Sequence, residues 1–136
     1  MQVTDMFSLK DKVAVVAGGG GILGGAIGEG LAGAGAKVVM SDRQPEKAEM
    51  AAQRIMAAGG TAMGVQMDAF ERSTIEACRD MACDAYGSVD ILVNAVGGNM
   101  AAATTSAEQS FFQLMPDALS QVFNLNMLAG TIVPCQ

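Results

Sequence analysis

Residues 17–28 read AGGGGILGGAIG and stand between a β-rich apolar run, KVAVVA at 12–17, and a helical pattern. A glycine cluster is informative there, because it turns the chain from a strand straight into a helix. Gly19, Gly21 and Gly24 fit G-x-G-x-x-G. Glycine permits positive φ in the turn and lets a pyrophosphate approach the backbone. The helix N-terminus then offers free N–H groups and the positive end of its dipole. Gly19 and Gly24 also have P-loop spacing, but Gly25 and Ala26 stand where Lys-Ser/Thr is required, so that reading fails. The bland alternative is a turn that needs only flexibility. It explains poorly why Gly25, Gly28, Gly30 and Gly33 continue into the helix, where each costs about 1 kcal/mol against Ala. Close helix–sheet packing could account for some of them.

Working outward, Ile27, Leu31 and Ala34 form a helical stripe that Gly35 can cap. KVVM at 37–40 predicts a second strand ending at Ser41 and Asp42. Pro45 suits a first helical position, and Ala48, Ala51, Ala52 and Ile55 make one face before Gly59 and Gly60 stop the helix. Residues 61–67 predict a third strand. Ser73 and Glu76 match a capping box, and Ile75, Cys78, Ala82 and Ala85 form the next apolar face, stopped by Gly87. VDILV at 89–93 predicts a fourth strand. Residues 97–115 have weak periodicity, which suggests a functional loop, and Pro116 opens a last helical segment with Leu119, Val122, Phe123 and Met127.

This alternation predicts an α/β fold: a Rossmann-like, doubly wound parallel sheet of four strands in order 3-2-1-4. Residues 1–136 would form a single dinucleotide-binding domain, with the first two helices on one face and the later two on the other. Ligand should sit at the carboxyl ends of strands 1 and 4, where the order reverses.

Composition narrows the chemistry. The chain is 51% hydrophobic and 16% charged, which excludes disorder, and its core must rely on small aliphatics and 11 methionines. With no histidine, Ser-His-Asp and Cys-His nucleophile systems and histidine metal sites are excluded, and no metal site is expected. A net charge of −6 argues against nucleic acid as a partner. Cys78, Cys83 and Cys135 form an odd set without C-x-x-C, read as small hydrophobes in a reducing cytoplasm. No basic segment followed by a long apolar run opens the sequence, and no apolar stretch nears the ~20 residues that span a bilayer, so a cytoplasmic protein with neither secretory leader nor membrane contact is expected.

Asp42, at the end of the second strand, can accept hydrogen bonds from both adenosine ribose hydroxyls and repels a 2′-phosphate. That favours NAD over NADP. Arg43 beside it weakens the discrimination, since arginine can accommodate that phosphate. An exposed loop carboxylate is the alternative for Asp42.

Here the residues meet a family. The turn at 17–24 resembles the TGxxxGxG turn of short-chain dehydrogenases/reductases, with Gly18 and Gly24 in place, Ala17 for its Thr and Ile22 at its middle Gly. Asp68 matches the family's adenine-binding Asp, and Asn94-Ala95-Val96-Gly97 looks like its NNAG motif, keeping the first Asn and the Gly. Asn126 matches the helix Asn of the catalytic tetrad, ahead of nearby Asn124. Runs such as V-G-G-N at 96–99 and F-F-Q-L at 111–114 resemble the sugar-acid branch, the fructuronate reductases or mannonate oxidoreductases. The resemblance implies NAD as cofactor, hydride transfer to or from a carbonyl or alcohol carbon, and a homo-oligomer. It implies cofactor contacts at Gly18, Gly19, Gly21, Ile22, Leu23, Gly24, Asp42, Arg43, Asp68, Ala69, Asn94, Ala95, Val96 and Gly97.

The family's Ser on a fifth strand and its Tyr-x-x-x-Lys have no counterpart here. Tyr86 is followed four positions later by Asp90, and Lys47 is the last lysine. Tyr86 is therefore expected to pack rather than catalyse, and Asn126 would be the lone catalytic position, or simply a polar residue on a helix. The chain is expected to be the N-terminal part of a longer fold, truncated before strand 5, and to need a completed site to engage a small-molecule substrate. Two other readings stand beside this one: an inactive dinucleotide-binding module, and a fragment that assembles through the uncovered edge of strand 4.

Overall fold

The computed structural model describes residues 6–136; residues 1–5, part of the stretch read for a secretory leader, lie outside them. Four parallel strands, β1 (Val13–Ala17), β2 (Lys37–Asp42), β3 (Thr61–Gln66) and β4 (Ile91–Asn94), form one sheet in the order β3-β2-β1-β4. Val15 aligns with Val39 on one side and Leu92 on the other. β1 is apolar throughout and buried along its whole length, as a central parallel strand must be. β4 is the outer strand on its side and half-buried, with no further strand paired to its outer edge among the described residues.

Alternation along the strands divides the core in two. Ala14, Val16, Val38 and Met40 face Ala51, Ala52 and Ile55 of α2 (Pro45–Ala57), with Leu31 of α1 (Ile22–Gly33) against the cluster. Val15, Ala17, Val39 and Val65 face Cys78 and Ala82 of α3 (Arg72–Tyr86). Burial pushes the Cys78 thiol up to about 11, so it packs as an inert hydrophobe. Gly35 caps α1 at φ +102, with its own N–H donating to the Ala32 carbonyl and the Ala36 N–H to Leu31, as the glycine signal predicts.

Several expectations shift. α1 begins at Ile22 rather than Gly24, whereas β2 ends at Asp42 as expected. The capping box at Ser73 is not formed. α3 starts at Arg72 after Glu71, no side chain caps it, and Thr74 reaches back instead. Residues 97–115 carry only two single 3-10 turns, Ala101–Ala103 and Phe111–Gln113. The last helix, α4 (Pro116–Phe123), continues into wider π-helical turns over Asn124–Ile132. A closing 3-10 turn, Val133–Cys135, reaches the sheet: Val133 and Pro134 share a groove with Val15 and Leu92.

One carboxylate ties β1 to the outer strand β4 at their start. The Val13 N–H donates to Asp90 Oδ2 at 2.9 Å, the Ser88 hydroxyl to the same oxygen at 3.0 Å, and Lys12 Nζ to Oδ1 at 3.3 Å. The backbone bond from Val13, then Ser88 and Lys12, hold the Asp90 carboxyl below its ordinary value. A depressed folded pKa gives stability that is complete above the unfolded value, about 4, and is lost as pH falls through the folded one. The thermal midpoint of Asp90→Asn should therefore lie below that of the native chain at pH 7, and the gap should close as pH falls below about 4. A gap that stays constant down to pH 2 would contradict the role given to this carboxylate.

Candidate functional site at the carboxyl edge

The glycine turn occupies the place where strand order reverses. Gly18 has φ +78, and a Cβ there would lie 2.7 Å from the Ala95 carbonyl oxygen, so only glycine lets the turn after β1 lie against the segment after β4. A Cβ at Gly24 would collide with the Gly18 carbonyl oxygen, so α1 can start this close only with glycine there. The turn is held by N–H bonds from Gly19 to the Ser41 carbonyl (2.8 Å) and from Gly21 to that of Gly18 (3.1 Å).

Gly21, the residue that opens α1, has no side chain to cap it. Among the described residues, no backbone carbonyl takes the N–H groups of Ile22, Leu23 or Gly24. The Ile22 and Leu23 side chains stand exposed beside these donors. An uncapped helix start carrying three free donors and the positive dipole end is suited to an anion.

Around it lies a cleft of about 360 Å³ lined by Gly18, Gly21, Asp42, Arg43, Asp68, Ala69, Ala95, Val96 and Gly97, with Met67, Phe70 and Leu125 added. Asp42 is oriented by the Gln44 N–H, which donates to Oδ1 at 3.0 Å. Its Oδ2 lies 2.7 Å from where a Cβ on Gly20 would be, which places the carboxylate over the glycine turn. Asp68 accepts at Oδ1 from the Phe70 N–H at 3.0 Å.

Of the residues singled out in the sequence, Gly19, Ile22, Leu23, Gly24, Asn94 and Asn126 do not line this cleft. Gly19 lies beneath it, where a Cβ would meet Met40 Cε at 2.9 Å. Asn94 turns its amide towards Cys135 Sγ at 3.3 Å and leaves Oδ1 buried without a partner, an arrangement costing about 1–3 kcal/mol. Asn126 is fully engaged. Its Nδ2 donates to the carbonyls of Gly98 and Val122, both at 2.8 Å, while its Oδ1 accepts from the Gly98 N–H at 3.2 Å. Nearby, Gly130 lies so close to the Val96 carbonyl that a Cβ would overlap it. The wide-turn segment thus clamps the 96–98 loop at two points, a role that the sequence pattern did not reveal for Gly130.

Tyr86 lies at the other end of the sheet. Lys37 Nζ, at the start of β2, sits 5.7 Å from the centre of its ring, and burial raises its phenol. Packing, as expected, is its part. Among the described residues no helix is long and apolar enough to cross a membrane, and no three His, Cys, Asp or Glu side chains are arranged to hold a metal ion.

A parallel sheet in order 3-2-1-4, with a glycine turn feeding an open helix start at the switch point, defines the Rossmann-like class. The family model for short chain dehydrogenases matches residues 12–136. An uncharacterized oxidoreductase of Bacillus subtilis, UxuB, is 36% identical over 127 residues, covering 88% of this chain and 46% of the relative. An uncharacterized oxidoreductase of Haemophilus influenzae is 31% identical over 146 aligned positions, covering all of this chain and 51% of the relative. A Haemophilus protein assigned as a D-mannonate oxidoreductase, solved with bound NAD, superposes with a TM-score of 0.88 at 30% identity, over 99% of this chain and 51% of that one. The chain belongs to the short-chain dehydrogenase family, and it spans about half the length of these relatives.

Proposed function

We propose that residues 1–136 form one dinucleotide-binding domain, the cofactor-binding part of an NAD-dependent oxidoreductase acting on a sugar acid of the mannonate or fructuronate kind. The observation that carries the reading is the convergence of Gly18, Asp42, Asp68 and Val96 on one cleft beside an uncapped helix start. The cleft fits a dinucleotide. The N–H groups of Ile22, Leu23 and Gly24 would take the diphosphate, with Gly19 and Gly21 keeping the turn open to it. Asp42 would accept from the adenosine ribose hydroxyls with Arg43 alongside, Asp68 and Ala69 would border the adenine, and Asn94, Ala95, Val96 and Gly97 would form the inner wall. When bound, the nicotinamide would give hydride to, or take it from, the substrate carbon.

Asn126 serves by position. By holding both polar groups of the Gly98 peptide it fixes the loop that closes the inner wall. The likeness to the NAD-bound Haemophilus structure assigned as a D-mannonate oxidoreductase supports the sugar-acid class. Exposed Leu119, Phe123 and Met127 fit a second copy of the chain as partner, and three free thiols fit the reducing cytoplasm.

Asp42→Ala tests the cofactor assignment. Losing hydrogen bonds to a charged acceptor should weaken NADH by about tenfold and reduce its preference over NADPH. Fluorescence titration of both dinucleotides reads this directly. Tighter binding of NADPH by the native chain would show that Arg43, not Asp42, sets the choice.

A further inference from the structure

The Asp68 loop is held by a side chain that neither the glycine turn nor the family motifs single out. The Asp68 N–H donates to Thr74 Oγ1 at 3.0 Å, and that hydroxyl lies 2.9 Å from the carbonyls of both Asp68 and Glu71, to either of which it can donate. The Glu71 N–H also donates to the Asp68 carbonyl, at 2.9 Å. Thr74 thus grips both polar groups of the residue whose carboxylate borders the cleft. That carboxylate is turned by the Phe70 N–H on Oδ1, and among the described residues Oδ2 has no protein partner.

We infer that Thr74 is a positioning residue for recognition of the adenine amino group, acting through Asp68. The inference rests on the reading of the cleft proposed above. A hydroxyl has one proton and two lone pairs, so it can accept from one N–H and donate to a carbonyl at once. Valine has the same shape and can do neither; serine can do both. Helix capping alone does not account for the arrangement, because Thr74 reaches past Glu71, the residue that opens α3, to a residue outside the helix. With the Asp68 peptide fixed, Oδ2 keeps one direction into the cleft. Released, the carboxylate would sample several, and its selectivity for a donor over an acceptor would fall.

The test compares NADH with its reduced hypoxanthine analogue, in which a carbonyl replaces the adenine amino group, on the native 136-residue chain, Thr74→Ser and Thr74→Val. The native chain and Thr74→Ser should prefer NADH by about tenfold, the worth of a hydrogen bond to a charged group. Thr74→Val should bring that ratio to about twofold or less. A merely structural role would weaken both dinucleotides alike and keep the ratio, which would overturn the inference while leaving the cleft reading intact. No preference in the native chain would overturn the inference together with the assignment of Asp68. If Thr74→Val does not fold, amide exchange on the native chain decides. Slow exchange at the Asp68 N–H without ligand supports the grip, and fast exchange overturns it.

Discussion

Gly24→Val should lower NADH affinity by about a hundredfold and leave the sheet assembled. Its Cβ would overlap the Gly18 carbonyl oxygen and lie 2.9 Å from the Gly18 carbonyl carbon and 3.1 Å from Gly19 Cα. All three are backbone atoms, so no side chain can swing aside. The turn must move, and with it the free N–H groups of Ile22, Leu23 and Gly24. Hydrogen bonds to a charged group contribute about 1.5–3 kcal/mol each, so losing one or two yields the hundredfold. Gly30→Ala is the matched control. A Cβ there meets nothing within 4 Å, so binding should hold, and the helix should gain about 1 kcal/mol. Titration with NADH, beside circular dichroism and thermal melts, checks both variants. A Gly24→Val protein binding within threefold of native would contradict the site.

The second expected result is the absence of dehydrogenase turnover by this 136-residue chain alone. A positioned proton donor contributes about 10²–10⁴-fold, and no tyrosine with a lysine four residues on is present. Tyr86 packs under Lys37 at the start of β2, on the opposite end of the sheet from the cleft. The side chain of Asn126 is spent on the Gly98 peptide and Val122. Among the described residues no strand pairs with the outer edge of β4, so in this chain alone a nicotinamide ring would lack a wall on that side, and orientation should be lost along with the acid. An NADH absorbance assay on mass-verified chain with D-fructuronate and a carbonyl panel reads this. Steady turnover that follows the chain through purification would require an acid among Asp90, Glu108, Asp117 and Tyr86.

Much of this was legible in the sequence because it follows from local physics. Burial on both faces demands an unbroken apolar strand, which VAVVA supplies. A strand turning at once into a helix demands glycine, and Gly18 and Gly24 meet that demand at backbone contacts no other residue could make. The α2 stripe faces the core as its spacing requires, and so do Ile75, Cys78 and Ala82 of α3, while Ala85 at the end of that stripe is exposed. What escaped depends on contacts between distant segments. Ser73 and Glu76 have the right spacing for a cap, yet Thr74 wins the helix start because the Asp68 loop lies within reach of its hydroxyl. The widening after Phe123 places Asn126 and Gly130 against the 96–98 loop, and nothing periodic in residues 124–132 announces it. Close packing, which could account for some of the helix glycines, holds for Gly28, which makes room for the Met40 thioether, whereas a Cβ at Gly30 or Gly33 would meet nothing within 4 Å.

The central claim, that one dinucleotide cleft lies at the carboxyl edge of β1, β2 and β4, is tested most directly by mapping backbone amide shifts during an NADH titration. The account predicts saturable changes concentrated on residues 18–24, on Asp42 and Arg43, on Asp68 to Phe70, and on residues 94–98. Lys12, Gly35, Gly59 and Tyr86, at the far end of the sheet or beyond it, should stay still. Changes centred instead on the groove between α3 and Val133, or no saturable change at millimolar NADH, would contradict it.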